Sequence, residues 1–179
     1  METIRIHDKE FVPSIPAEDI LVQVRRVAKE INRDYEGQEP LFLVVLNGSF
    51  IFAADLMREI TLAADVSFVK LASYQGTASS GTVREVIGLN TDITGRPIII
   101  VEDIVESGLT MAHMIATLKR QNPKSIDICT LLLKPEKLEV QLDIKYVAME
   151  IPNDFIVGYG LDYNEHGRNL KDIYTIKEN

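Results

Sequence analysis

From Ile98 the chain reads Ile98-Ile99-Ile100-Val101-Glu102-Asp103-Ile104-Val105-Glu106-Ser107-Gly108-Leu109-Thr110: an apolar run, two adjacent carboxylates, then a loop of small residues. The run predicts a buried strand ending at the two acids, and the loop predicts the entry to a helix. In open α/β sheets ligands sit beyond the carboxyl ends of the strands. Small residues leading into a helix N-terminus turn free amides and the positive end of the dipole toward an anion. Ser107 and Thr110 add hydroxyl donors, so this half of the segment suits a phosphate. Glu102 and Asp103 would repel a phosphate unless hydroxyl donors or a metal lay between. A ribose diol supplies such donors, and Mg²⁺ supplies charge. A phosphate on one side and diol-accepting acids on the other suit a ribose 5-phosphate. The plainer alternative is a strand end with solvated acids and a turn.

Other chemistries lack their residues. The chain has no G-x-x-x-x-G-K-[ST] loop, no G-x-G-x-x-G after a strand and no G-x-S-x-G elbow. His7, His113 and His166 do not stand at zinc-ligand spacing with Cys129. That single cysteine lies in the apolar run Ile126 to Leu133, so it reads as a small buried hydrophobe and no intrachain disulfide can form. The formal net charge is -8, which disfavours nucleic-acid partners without forbidding a small anion held by local amides and cations. No apolar run approaches the roughly 18 residues of a membrane span. These features predict a cytoplasmic protein with no membrane and no nucleic-acid partner.

The elements that must position these residues follow from hydrophobic periodicity. Ser14-Ile15-Pro16, followed by Ile20, Val24, Val27 and Ile31, predicts a capped amphipathic helix ending before Gly37. Leu41 to Leu46 is a continuous apolar run of strand length, so both faces are expected to be covered, as in a parallel sheet. Asn47-Gly48-Ser49 then opens a helix with Ala53, Leu56, Met57 and Ile60 inward. Strands are expected at Val66 to Leu71, Pro97 to Val101, Ile126 to Leu133 and Tyr146 to Ile151, with a helix from Thr110 to Gln121. Alternation of this kind predicts an α/β fold with a central, mostly parallel twisted sheet flanked by helices. With 179 residues, 46% of them hydrophobic, the chain is expected to form a single domain. Its core would run over about residues 14–151, with a small hood lobe from 1–13 and 152–179. The small, polar, uncharged stretch from Ser73 to Gly81 reads as a hairpin tip that could close as a lid.

Val101 to Thr110 resembles the phosphoribosyl pyrophosphate signature of type I phosphoribosyltransferases, and the likeness continues beyond it. Leu46-Asn47-Gly48-Ser49-Phe50 sits where the hypoxanthine(-guanine) members carry the Leu-Lys-Gly of their pyrophosphate loop. Ser73-Tyr74 matches the Ser-Tyr of their lid, and Lys134 matches their purine-reading lysine. Phe155-Ile156-Val157-Gly158-Tyr159-Gly160-Leu161-Asp162-Tyr163, with Arg168, is similar to their C-terminal purine and magnesium segment.

The resemblance implies a Mg²⁺-dependent transfer of the phosphoribosyl group to hypoxanthine or guanine by a homodimer or homotetramer. It implies that Glu102 and Asp103 hold the ribose hydroxyls and one Mg²⁺. Glu106, Ser107, Gly108, Leu109 and Thr110 grip the 5′-phosphate, Glu106 doubling as the catalytic carboxylate. Lys134 donates to the purine O6, Phe155 stacks on the base and the Ile156 backbone meets its edge. Asp162 serves the purine site and a second Mg²⁺, while Asn47, Gly48 and Arg168 meet pyrophosphate. The Leu46–Asn47 peptide is expected to be cis or able to become so.

By residue type alone, Lys134 reads equally as a snorkelling surface lysine, Phe155 as a core aromatic and Arg168 as a solvated cation. The chain also departs from the pattern twice: Glu106 stands where the family keeps Asp, and Asn47 replaces a lysine. Both departures leave open a rival of another class, a nucleotide-sensing regulatory protein with weak or no turnover.

Overall fold

The structure is a computed structural model that describes residues 3–73, 83–89 and 91–177. Its first element after the N-terminal hairpin is helix α1 (Ala17–Asp34), which buries Ile20, Val24, Val27, Ala28 and Ile31 along one stripe. Strand β3 (Leu41–Leu46) follows and is buried on both faces over Leu41 to Val45, as its unbroken apolar run requires. Helix α2 (Phe50–Glu59), strand β4 (Asp65–Ser73) and strand β5 (Val83–Ile87) come next. After them stand β6 (Pro97–Val105), α3 (Leu109–Lys119), β7 (Ser125–Leu133) and β8 (Tyr146–Glu150). These strands form one six-stranded sheet in the order β5-β4-β3-β6-β7-β8. Only β5 runs antiparallel to its neighbour.

The connections diverge at the middle of that sheet. From β3 the chain passes through α2 to β4 on one side; from β6 it passes through α3 to β7 on the other. Right-handed crossovers in opposite directions place their helices on opposite faces. Accordingly α1 and α2 pack with Phe42, Val44, Ile99 and Val101, while Met111, Met114 and Leu118 of α3 pack with Leu41, Leu43, Ile98 and Ile100. The carboxyl ends of β3 and β6 therefore flank a topological switch point, where open sheets of this kind bind ligands.

The chain ends build a second, four-stranded sheet. Its order is β1-β2-β10-β9, with β1 (Ile4–Ile6), β2 (Lys9–Ile15), β9 (Ile156–Val157) and β10 (Ile173–Ile176) all antiparallel. The hood lobe thus joins residues from both termini.

Two local expectations need correction. β6 does not stop at the acidic pair but continues through Val105, so Glu102 and Asp103 project from within a paired strand. Helix α1 is not capped by Ser14. The Ser14 hydroxyl donates to the Ile173 carbonyl, and the helix N-terminus is served by Asp172, whose Oδ1 accepts from the Ala17 amide at 2.7 Å. A carboxylate at that end also meets the positive end of the helix dipole. Residues 74–82, with most of the expected lid, lie outside the described residues.

Removing the acceptor should show this long-range cap. We expect Asp172→Ala to lower unfolding stability by about 1 kcal/mol, and Asp172→Asn, which retains an acceptor, to recover most of it. Urea denaturation of the three proteins measures both values, and equal midpoints would refute the assignment.

Candidate active site

The switch point brings together segments distant in sequence. A Cβ placed on Gly48 would lie 1.5 Å from Asp103 Oδ2, and one on Gly160 would lie 2.1 Å from the Gly48 carbonyl oxygen. The loop after β3, the acids of β6 and the C-terminal segment therefore stack where no side chain can intervene. Gly160 also has φ +102°, a left-handed value that favours glycine. The Leu46–Asn47 peptide that leads into this loop is cis, in agreement with the resemblance.

Glu102 is buried, and Asp103 lies beside it with its amide donating to Glu102 Oε1 at 3.1 Å. Asp103 Oδ1 accepts from the Ile104 amide at 2.8 Å. Burial holds both carboxyls above the usual carboxylate range; the neighbouring Asp103 raises Glu102 further, and Arg168 offsets part of the rise at Asp103. Two acids kept out of water this way form a ready site for a cation or for hydroxyl donors.

Beyond them the chain turns through Glu106 and Ser107 into α3, which begins after Gly108 at φ +79°. Among the described residues, no acceptor bonds the backbone amides of Ser107, Gly108 or Thr110. Leu109 and Thr110 are exposed at the start of the helix, and the Leu109 amide donates weakly to Ser107 Oγ at 3.4 Å. This segment, from Glu102 to Met111, lines a cleft of about 320 Å³. Free amides at a helix start, with hydroxyls beside them, are groups that suit an anion.

Glu106 and Lys134 are in direct contact. The Lys134 ammonium, with only 5% of its side chain exposed, donates to Glu106 Oε1, and Lys137 approaches Oε2 at 3.8 Å. Lys134 is therefore no snorkelling surface lysine. Phe155 is 43% exposed, which removes the core-aromatic reading, and its ring stands edge-on to Tyr163 at 5.6 Å. Ile156 lies in β9, the edge strand of the second sheet, so one side of its backbone is free of ladder pairing.

Arg168 is not merely solvated either. It donates to the Gly160 carbonyl at 3.0 Å and pairs with Asp162 Oδ1 at 2.9 Å and Glu165 Oε2 at 3.4 Å. Asp162 also accepts from the Glu165 amide. It does not join Glu102 and Asp103: among the described residues no three His, Cys, Asp or Glu side chains converge as metal ligands. Ser73 ends β4, while Tyr74 lies outside the described residues.

Sequence reasoning missed several positioning groups. Tyr159 donates to Asp55 of α2 at 2.6 Å and ties the C-terminal segment to the core. Tyr163 donates to Asp8 at 2.7 Å, anchoring the aromatic group around Phe155 to the turn between β1 and β2. No local spacing announces contacts between residues more than a hundred positions apart.

Comparison with known proteins agrees with this geometry. The family model described as "Phosphoribosyl transferase domain" matches residues 16–164. The chain belongs to the phosphoribosyltransferase family. A hypoxanthine-guanine phosphoribosyltransferase of Mycobacterium avium is 43% identical over 169 residues, covering 90% of this chain and 83% of the relative. The enzyme of the same name from Aquifex aeolicus is 39% identical, covering 97% and 98%. A crystal structure of a hypoxanthine-guanine phosphoribosyltransferase from Bacillus anthracis superposes with a TM-score of 0.88 at 40% identity, covering 93% of this chain and 98% of that one.

The acid pair has a measurable signature. A carboxyl with a raised pKa in the folded state binds its proton more tightly there than when unfolded. Stability therefore falls as pH rises from the unfolded value, about 4, through the folded one. We expect Glu102→Gln to raise the urea midpoint of chelator-treated protein at pH 7.5 and to lose that advantage as the pH approaches 4. A lower midpoint at pH 7.5 would mean that the charged pair stabilises the fold.

Proposed function

We propose that this chain joins hypoxanthine or guanine to the phosphoribosyl group of phosphoribosyl pyrophosphate, releasing pyrophosphate and forming IMP or GMP. The observation that carries this reading is the contact between Glu106 and Lys134 beside the anion cradle. On a 6-oxopurine, an N7–H donor and the O6 acceptor lie side by side on one edge. A carboxylate next to an ammonium is their complement, whereas adenine offers an amino donor at position 6. The named relatives support the same substrates.

In this reading Ser107, Gly108, Leu109 and Thr110 take the 5′-phosphate, and Glu102 and Asp103 accept from the ribose hydroxyls. Phe155 covers the base and the Ile156 backbone meets its edge. Asn47, Gly48 and Arg168 face the pyrophosphate. As the bond from N9 to the anomeric carbon forms and the bond to pyrophosphate breaks, Glu106 takes the N7 proton.

Mg²⁺ fits the buried acid pair, because a divalent cation offsets both the burial and the mutual repulsion of the two carboxyls. Held by Glu102 and Asp103, it would supply positive charge to neutralise the departing pyrophosphate. A second ion at Asp162 would share that carboxylate with Arg168. Ser73 and Tyr74 would close over the site and keep water from the reacting carbon. Among the described residues no helix is long and apolar enough to cross a membrane. We place the enzyme in the cytoplasm, as a homodimer or homotetramer, with no nucleic-acid partner.

The test is nucleotide formation from hypoxanthine and from guanine with phosphoribosyl pyrophosphate and Mg²⁺. Turnover with either base is expected. Glu106→Gln should lower kcat by about 10²–10⁴-fold. Lys134→Ala should reduce kcat/KM for the base far more than for phosphoribosyl pyrophosphate. Tight nucleotide binding without turnover on any purine would instead favour a sensing protein.

A further inference from the structure

The two oxygens of Glu106 face different lysines. Lys134 donates to Oε1, while Lys137 stands 3.8 Å from Oε2. Lys137 reaches this place because Pro135–Lys137 forms a single 3-10 turn after β7, and its amide donates to the Lys134 carbonyl at 3.0 Å. The lysines are not equivalent: the Lys134 side chain is 5% exposed, but that of Lys137 is 40% exposed. One cation is confined, and the other has room to follow the carboxylate.

This arrangement carries a difficulty for the transfer reaction, on which the inference rests. With no base bound, the residue that reads O6 is engaged by the residue that takes the N7 proton. A 6-oxopurine that takes O6 to Lys134 and N7–H to Glu106 competes with the contact the two groups make with each other, and so loosens Glu106 from Lys134. A carboxylate that gives up its nearest cation in a half-buried place needs another.

We propose that Lys137 is a positioning residue that draws Glu106 off Lys134 when a 6-oxopurine or its nucleotide binds. The length of Glu106 belongs to the same device. An aspartate is shorter by one carbon–carbon bond, about 1.5 Å, and from the same backbone position could not span the two lysines. The glutamate that departs from the family pattern and the lysine that meets it act as one unit.

The experiment places Lys137→Met and Lys137→Arg in the parent and in a Glu106→Asp background. In the parent, Lys137→Met should lower kcat with hypoxanthine by about five- to tenfold, with KM for phosphoribosyl pyrophosphate within about twofold. Lys137→Arg should restore most of the loss. In the Glu106→Asp background, Lys137→Met should change kcat by less than about twofold, since the shorter arm no longer reaches it. A merely structural lysine would cause the same loss in both backgrounds.

Calorimetric binding of IMP gives a readout that does not need turnover. N7 of IMP carries a lone pair and no proton, so an ionised Glu106 has no bond to make there and gains by turning to Lys137, and Lys137→Met should weaken IMP binding by about fivefold only where Glu106 is present. Equal losses in both backgrounds, failure of arginine to rescue, or no loss of either turnover or IMP affinity in the parent overturns the proposal. A parent that binds IMP but turns over no purine sinks the transfer reading alone, and the binding arm then decides the role of Lys137.

Discussion

Asp103 presses its carboxylate against the backbone of Gly48, and the Gly48 carbonyl in turn meets the backbone of Gly160, with no space for a Cβ at either glycine. Three segments, from β3, from β6 and from the C-terminal hood, are thereby held at one point of the sheet. Arg168 depends on this stack because it donates to the Gly160 carbonyl, and Asp162 depends on Arg168. The side of the site proposed for pyrophosphate is thus assembled on one short carboxylate and two closely packed backbone segments. Such contacts leave little freedom to lose when a ligand arrives.

Charge is arranged against the average of the molecule. For the proposed reaction a chain with formal net charge -8 has to receive a highly anionic substrate, and fixed donors stand close at hand. The unbonded amides of Ser107, Gly108 and Thr110 supply the first set; Lys134 and Lys137 stand at Glu106, and Arg168 stands at Asp162. Each of these cations already has a carboxylate partner. The ligand therefore exchanges with Glu106 or Asp162 rather than meeting a bare positive charge, which lowers the penalty of keeping the free site folded. The acid pair Glu102 and Asp103 is the exception. Hydrogen bonds from neighbouring groups and, less, Arg168 offset only part of the effect of burial there, and this is where a divalent cation would have the most to gain.

Most of the core was legible in the sequence because it obeys short periods. Leu41 to Leu46 matches β3 residue for residue, and the acidic segment marked the switch point before any topology was known. The continuation of β6 past Asp103 was not legible: charged residues normally end a buried strand, and here ladder pairing with β7 carries the backbone on to Val105. The cap of α1 is hidden for a related reason. Ser14 has the right chemistry but lies two residues before the N-cap position, held by Pro16, and Asp172 supplies the acceptor once the hood is folded. Lys134, Phe155 and Arg168 could each be read two ways until burial and partners were known. Only tertiary contacts separate a buried lysine paired to Glu106 from one that lies along a surface.

In the proposed reaction the base and the phosphoribosyl group fall to different parts of the fold, and ties between those parts would then matter to chemistry. Phe155 and Ile156 belong to the hood, while Glu102 to Thr110 belong to the central sheet. A bond forming between N9 and the anomeric carbon requires the two ligands to meet within a few tenths of an ångström. That registration rests on Tyr159 bonded to Asp55, on Asp172 bonded to the start of α1, and on Gly160 against Gly48. Burial pushes the Tyr159 hydroxyl well above its usual pKa, so this donor keeps its proton across the physiological range and the tie persists. A loosened hood would leave N9 and the anomeric carbon out of registration in that reaction. On this reading the hydrogen bonds between lobes serve the reacting geometry although none of them touches a reacting atom.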